Sequence, residues 1–337
     1  MELPTLSELP ALAELLATAH VVSLPLVTRF RGVDHREAML IEGPEGWTEF
    51  SPFLEYDDEE AATWLAAAID FGWHPQPTPV RDTIPVNATV PAVAAGDVPG
   101  ILTRFDGCRT AKVKVAERGQ TLADDVARVH AVRTTLGSEG RIRLDANGGW
   151  NLDEAEHAAH ALAAFDLEYL EQPCASIDEL AELRERLADW DLPIAADESV
   201  RKSADPLAVA RAGAADILVV KAQPLGGVAR AVQLVADAGL PAVVSSALDT
   251  SVGLSMGVAL AAALPELPYD CGLGTASLLA ADVTTSSLRP TGGALPAGRA
   301  GRVEADAALL ERHTASADRR AWWLARLDRC YGILAQS

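Results

Sequence analysis

The chain has 337 residues, 49% of them hydrophobic, and a formal net charge of −20. That length fits a barrel joined to a smaller domain, and the acidic balance argues against a nucleic-acid partner, whose phosphates attract basic surfaces. Of the 28 basic residues only Lys112, Lys114, Lys202 and Lys221 are lysines, and three of those four lie inside apolar runs.

The N-terminal stretch Met1–Thr18 carries Glu2, Glu8 and Glu14 and no basic run, so it does not read as a secretory signal. Residues 19–52 read as antiparallel strands, Val21–Phe30, Glu37–Glu42 and Trp47–Phe50, with Gly43-Pro44-Glu45-Gly46 as a hairpin loop. The segment Phe30–His35 reads equally as a lid and as a plain hairpin connection. A helix follows over Asp57–Phe71, capped by Asp57/Asp58. These elements make a small α+β unit ending near residue 82.

From residue 83 to about 290 short apolar runs alternate with helical periodicity. The strands are Ile84–Val90, Thr110–Val115, Arg141–Asp145, Leu167–Glu171, Pro193–Asp197, Asp216–Lys221, Pro241–Ser246 and Tyr269–Gly272. Between them come helices over Leu122–Leu136, Asp153–Phe165, Ile177–Ala188, Pro206–Ala212, Val228–Ala238 and Val252–Leu264. Eight strands separated by helices predict a (β/α)₈-type barrel. The Gly226-Gly227 pair predicts a tight turn into a helix. Pro241–Leu267, the most apolar stretch, is broken by Asp249, serines and glycines and reads as strand plus helix, not a membrane span. Residues 291–337 are expected to pack back on the cap or the barrel. Cys108, Cys174, Cys271 and Cys330 form no CxxC pair, which fits a reducing, cytoplasmic setting.

In such barrels the chemistry sits at the C-terminal ends of the strands. Lys114, Asp145, Glu171, Asp197 and Lys221 each fall at the end of a different predicted strand, 31, 26, 26 and 24 residues apart. Any one of the three acids alone reads equally as a cap of the following helix. Three on successive strands would repel one another without a cation, and hard oxygen ligands select Mg²⁺, with Mn²⁺ as a substitute. Asn147 and Glu198, next to two of the acids, either orient ligands and lysines or cap helices. Lys112 and Lys114, two apart on a strand, share a face, while Val113 and Val115 face outward. Two ammoniums side by side lower each other's pKa, which makes a lysine a usable base. Lys221 arrives from the far side of the barrel. Lysines flanking a divalent ion suit removal of a proton α to a carboxylate, so the expected partner is a small-molecule carboxylate substrate.

These residues resemble the enolase superfamily and, within it, the muconate lactonizing enzyme subgroup. That subgroup has Lys-x-Lys on the second barrel strand, acids on the third, fourth and fifth, and Lys on the sixth. Here these are Lys112-Val113-Lys114, Asp145, Glu171, Asp197 and Lys221. The resemblance implies a modified TIM barrel of (β/α)₇β type behind an α+β capping domain over residues 1–82, which includes the run Gly46–Pro52. The stretches Val244–Leu254 and Tyr269–Thr275, with Arg143, are similar to the o-succinylbenzoate synthases, especially the short actinobacterial type. That family's reaction is the dehydration of 2-succinyl-6-hydroxy-2,4-cyclohexadiene-1-carboxylate to 2-succinylbenzoate, on the route to menaquinone. The resemblance implies that Lys114 takes the α-proton and returns it to the departing hydroxyl. Lys221 stabilises the enediolate, Lys112 tunes Lys114, and Asp145, Glu171 and Asp197 hold Mg²⁺. Arg143, Ser245 and Ser246 are candidates for contacts to the succinyl arm, with packing or strand-end capping as the plainer reading; Asn147 is a further candidate for substrate contact. The rival readings are an N-acylamino acid or dipeptide racemase, a muconate-type cycloisomerase and a non-catalytic metal-binding barrel.

Overall fold

The computed structural model describes residues 9–30, 32–202 and 205–336. The first eight residues of the N-terminal stretch, and Arg31 in the Phe30–His35 segment, lie outside the described residues.

Three antiparallel strands, β1 (His20–Phe30), β2 (Val33–Gly43) and β3 (Gly46–Phe50), form the cap sheet. Side chains alternate across a strand, and both faces here are apolar. Ala38 and Leu40 join the barrel-side core, while Met39 and Ile41 join a second cluster with Phe50, Trp64 and Trp323. That second cluster is covered by two helices. The helix Asp58–Trp73 starts where the Asp57 side chain accepts the Glu60 N–H. The helix Ala317–Leu334 lies on it, with Trp323 edge-on to Phe50 at 5.7 Å and the buried Arg326 donating to the Phe53 carbonyl at 3.1 Å. This helix therefore packs on the cap. Phe30 ends β1 and Val33 begins β2, and the two pair after a shift in the β1–β2 register beyond Pro25.

The predicted single strand Ile84–Val90 is two short ones. β4 (Thr83–Pro85) turns away from the barrel, and β5 (Ala88–Val90) opens the barrel sheet. The chain breaks pairing between them, where the Val86 N–H goes to Gly293 and the Asn87 N–H to Cys271. The sheet continues in parallel through β6 (Thr110–Lys114), β7 (Arg141–Asp145), β8 (Leu167–Glu171), β9 (Ile194–Ala196), β10 (Ile217–Val220) and β11 (Ala242–Val244). β12 (Ala294–Pro296) returns to pair antiparallel with β4. The eighth barrel strand is reduced to the bridges Val86–Cys271 and Ser245–Gly272, which join the two edges of the seven-stranded sheet. Gly272 leaves room there for the Ser245 hydroxyl, which a Cβ would approach to 2.6 Å.

The intervening helices start on sequence signals. Thr121–Asp124, Asn151–Glu154 and Ser176–Glu179 are reciprocal capping boxes that open the helices Leu122–Leu136, Leu152–Leu162 and Ile177–Arg186. Gly227, at φ +124°, caps the helix Val228–Ala238 as the glycine pair predicts. The predicted helix Pro206–Ala212 shrinks to Ala208–Arg211. Val113 and Val115 pack outward into the main core, leaving Lys112 and Lys114 on the barrel's inner face.

Candidate active site

The strand ends bring five of the predicted groups together. Lys114, Asp145 and Glu171 are the last residues of β6, β7 and β8, while Asp197 and Lys221 follow β9 and β10 by one position. The parallel register pairs Lys114 with Asp145 and Asp145 with Glu171. All three acids are at most 1% exposed. Lys112 Nζ lies 2.7 Å from Glu171 Oε1 and 3.1 Å from Asp145 Oδ2. Lys114 donates to Asp145 Oδ2 at 2.5 Å and to Asn147 Oδ1 at 2.7 Å. Lys221 donates to Asp197 Oδ2 at 2.5 Å. Among the described residues no three acids converge on a single point; the ammoniums stand between them.

Burial and neighbouring charge set the protonation of this cluster. Burial lowers the Lys114 pKa, Asp145 restores part of it, and the Lys112 charge lowers it again, so it ends below the ordinary lysine value. Lys112 departs from the expectation that both lysines are lowered. Burial pulls it down, but Glu171 and Asp145 outweigh that and hold it well above the ordinary value. Glu171 is pushed up to about 8 by burial and by the charge of Asp145, with Lys112 offsetting part. Asp145 and Asp197 are held low: burial opposes ionisation, and the lysines around them overcome it.

The groups next to the acids form a second ring. The Asn147 amide bridges Lys114 to Glu198 Oε1 at 3.2 Å, and Asn147 itself has φ +48°, a value this residue type tolerates. Arg201 holds Asp197 at 3.1 Å and Glu198 at 2.6 Å, and reaches Tyr56 of the cap at 3.0 Å. Gln172 ties the ends of β8 and β9: its carbonyl oxygen accepts from Asp197 N at 3.0 Å and Ser199 N at 3.1 Å. Sequence reasoning missed Arg201 and Gln172. The i, i+4 spacing of Asp197 and Arg201 on a short helix was the available signal for the first; nothing local marked the second.

The cleft above these groups is lined by Ser245, Ser246, Ala247, Leu248 and Thr275 on one side. Phe30, Phe53, Tyr56 and Trp64 of the cap line it as well. The Phe30 ring centre is 5.7 Å from Lys114 Nζ, so the end of β1 delivers an aromatic to the mouth. Ser246 Oγ donates to the Gly272 carbonyl at 2.6 Å, the strand-end capping that was its plainer reading, while still facing the cleft. Arg143 is not brought to the mouth. Its side chain runs to the opposite end of the barrel, where it meets Glu168, Asn87 Oδ1 at 3.2 Å and the Asp270 carbonyl at 2.5 Å. It lies two residues deeper than Asp145 on the same face of β7, which places its guanidinium over the Tyr169 ring at 4.9 Å. The expectation that Arg143 contacts the succinyl arm is therefore corrected.

Residues 102–301 match the family model described as enolase C-terminal domain-like, and residues 21–72 match the one described as enolase N-terminal domain-like. An o-succinylbenzoate synthase from Mycobacterium marinum is 54% identical over 317 residues, covering 94% of each chain. One from Thermobifida fusca is 55% identical over 315 residues, covering 90% of this chain and 97% of its own. The chain belongs to the o-succinylbenzoate synthase family of the enolase superfamily. Solved structures of the enolase superfamily share its fold at low identity. A muconate lactonizing enzyme from Pseudomonas fluorescens superposes with a TM-score of 0.75 at 19% identity, over 88% of this chain and 98% of that one. An N-succinyl Arg/Lys racemase from Bacillus cereus superposes at 0.72 with 20% identity, over 88% and 97%.

Proposed function

We infer that this chain catalyses the o-succinylbenzoate synthase reaction, the syn dehydration of 2-succinyl-6-hydroxy-2,4-cyclohexadiene-1-carboxylate to 2-succinylbenzoate. It is a hydro-lyase: one C–H and one C–O bond break, a ring double bond forms, and water leaves. The observation that carries this is near full-length identity above 50% to o-succinylbenzoate synthases, in a chain whose strand ends present lysines on both sides of three carboxylates.

The roles follow from placement and charge. Lys114 has its pKa lowered by burial and faces the cleft, which suits it to take the proton α to the substrate carboxylate. Its conjugate acid then protonates the hydroxyl leaving from the same face. β6 and β10 are four strands apart in the ring, so Lys221 faces the substrate from the opposite side. There it stabilises the charge that builds on the carboxylate oxygens. Lys112, held charged by Glu171 and Asp145, lowers Lys114. Asn147 holds Lys114 in line at 2.7 Å. Ser245 and Ser246 remain the candidates for the succinyl arm.

The donor set fits a hard divalent cation. Asp145, Glu171 and Asp197 are buried carboxylates on adjacent strands, and burial with the charge of Asp145 pushes Glu171 up to about 8. These three would hold Mg²⁺, or Mn²⁺ in its place, and the ion supplies positive charge beside the substrate carboxylate when bound. The partner is thus a small dicarboxylate. No described helix is long and apolar enough to cross a membrane. The four cysteines are free, which suits a reducing cytoplasm.

The test is turnover of the cyclohexadiene substrate followed by ultraviolet absorbance, with Mg²⁺ and then with EDTA. Turnover that disappears on chelation and returns with Mg²⁺ is expected; absence of turnover with Mg²⁺ rejects the reading. The opposed lysines also suit a 1,1-proton transfer. Deuterium exchange with inversion in an N-acylamino acid would reveal a racemase activity at the same site.

A further inference from the structure

The loop that follows β11 forms one wall of the cleft and holds a non-glycine residue in a left-handed conformation. Leu248 has φ +63°, is 2% exposed and lines the cleft. A leucine Cβ crowds the next carbonyl in that region, so the surroundings must impose the conformation.

What imposes it comes from the cap. Arg36 of β2 is 3% exposed. Its Nε donates to the Leu248 carbonyl at 3.3 Å and its Nη2 to the Ala247 carbonyl at 3.4 Å. Nη2 also donates to Ser51 Oγ at 3.1 Å and, more closely, to the Ser51 carbonyl, while the guanidinium sits 4.5 Å over the Phe53 ring. Glu49 of β3 takes the next link of the same loop. It accepts from Thr250 N at 3.1 Å and Thr250 Oγ1 at 2.5 Å, and from Ser51 Oγ at 2.5 Å. Gly253 permits that approach, since a Cβ there would lie 2.6 Å from the Glu49 carboxyl carbon. Between the two grips, Asp249 folds back to accept the Ala247 N–H at 3.2 Å. Two buried cap residues of opposite charge, 212 and 201 positions away in sequence, therefore grip one short stretch of the cleft wall.

We propose that Arg36 is a positioning residue that clamps Leu248 in its left-handed conformation and so lets the cap set the shape of the substrate-facing wall. The inference rests on the function proposed above. Arg36 bonds the backbone behind the wall, and the lysines stand on other strands. Loosening the clamp therefore degrades substrate fit, read in KM, before it degrades proton transfer, read in kcat.

The test pairs Arg36→Lys with Leu248→Gly. Lysine keeps the buried charge near Glu49 and Asp249 but cannot fork to two carbonyls. Glycine at 248 holds a positive φ without help. Arg36→Lys is expected to raise KM about tenfold with kcat within about threefold, whereas in the Leu248→Gly background the same change moves KM by about twofold or less. An unchanged KM in folded Arg36→Lys, or an equal rise in both backgrounds, overturns the proposal. If Arg36→Lys does not fold, rescue of folding by Leu248→Gly supports the clamp and failure to rescue overturns it. Amide hydrogen exchange over 247–250 reads the clamp without turnover: Arg36→Lys accelerates it if the clamp exists and leaves it unchanged if not. Absence of turnover by the wild type would instead reject the proposed function.

Discussion

Lys112 and Arg143 are cross-strand partners on the inner face of the barrel, yet their charges go to opposite ends. Lys112 rises to Glu171 and Asp145 at the mouth. Arg143 descends to Glu168, Asn87 and the Asp270 carbonyl, beside Arg141, which holds Asp270 Oδ2 at 2.6 Å. At the mouth Lys112, Lys114 and Lys221 carry compact charges on flexible stems, beside one arginine, Arg201, held by Asp197 and Glu198. The lower layer uses arginine, whose rigid fork is fixed by a carboxylate, an amide and a carbonyl at once. One barrel thus carries the proposed reacting groups at one end and a fixed arginine layer at the other, in line with the division between the two ends of such barrels.

The largest expected effect tests the reacting layer. Lys114→Ala should lower kcat by about 10³-fold or more while thermal unfolding moves by no more than about 3 °C. Lys221→Ala should behave the same way. Near-normal turnover by Lys114→Ala with Mg²⁺ bound would remove Lys114 as the base. The lower layer should respond in the reverse sense. Arg143→Leu leaves Glu168 without its buried partner and should cost about 3 kcal/mol in urea unfolding, with kcat of the folded fraction within about tenfold. A loss of kcat with stability intact would place Arg143 back among the substrate contacts.

The smallest effect concerns the junction of cap and barrel. Glu49 is pushed up to about 7 by burial and by the charge of Asp249. A carboxyl whose folded pKa lies above its unfolded value stabilises the fold fully below the unfolded value. That contribution is lost as pH rises through the folded value. Asp249, raised chiefly by burial, acts in the same direction. Wild type should therefore lose stability relative to Glu49→Gln between pH 5 and pH 8, by about 3 °C in melting temperature. Parallel pH profiles for the two proteins would show that Glu49 does not titrate in that range.

Much of the site was legible because strand ends in a barrel converge by geometry. Once Lys114, Asp145, Glu171, Asp197 and Lys221 fell one per strand, their meeting at one mouth needed no side-chain detail. Arg143 was misplaced because period 2 assigns a face of the sheet and not a depth, and two residues along β7 separate the mouth from the layer below. Gln172 was missed because its partners belong to the end of another strand, and Arg201 because an i, i+4 pairing with Asp197 is also what any short solvated helix carries. The first strand was read too long because an apolar run does not record which neighbour it pairs with; Val86 and Asn87 bond Gly293 and Cys271 instead of continuing one ladder.

The sequence by itself determined the alternation of strand and helix, the capping boxes that start the helices, and which residues carry the charge at the strand ends. Those are local matters of periodicity, propensity and spacing. Only the tertiary structure decided that Lys112 is held charged while Lys114 is lowered, since that depends on which carboxylate lies 2.7 Å away. The same holds for the left-handed Leu248 and its grip by Arg36, 212 positions earlier. Protonation and backbone strain depend on distances between distant segments, and these arise only when the chain closes on itself.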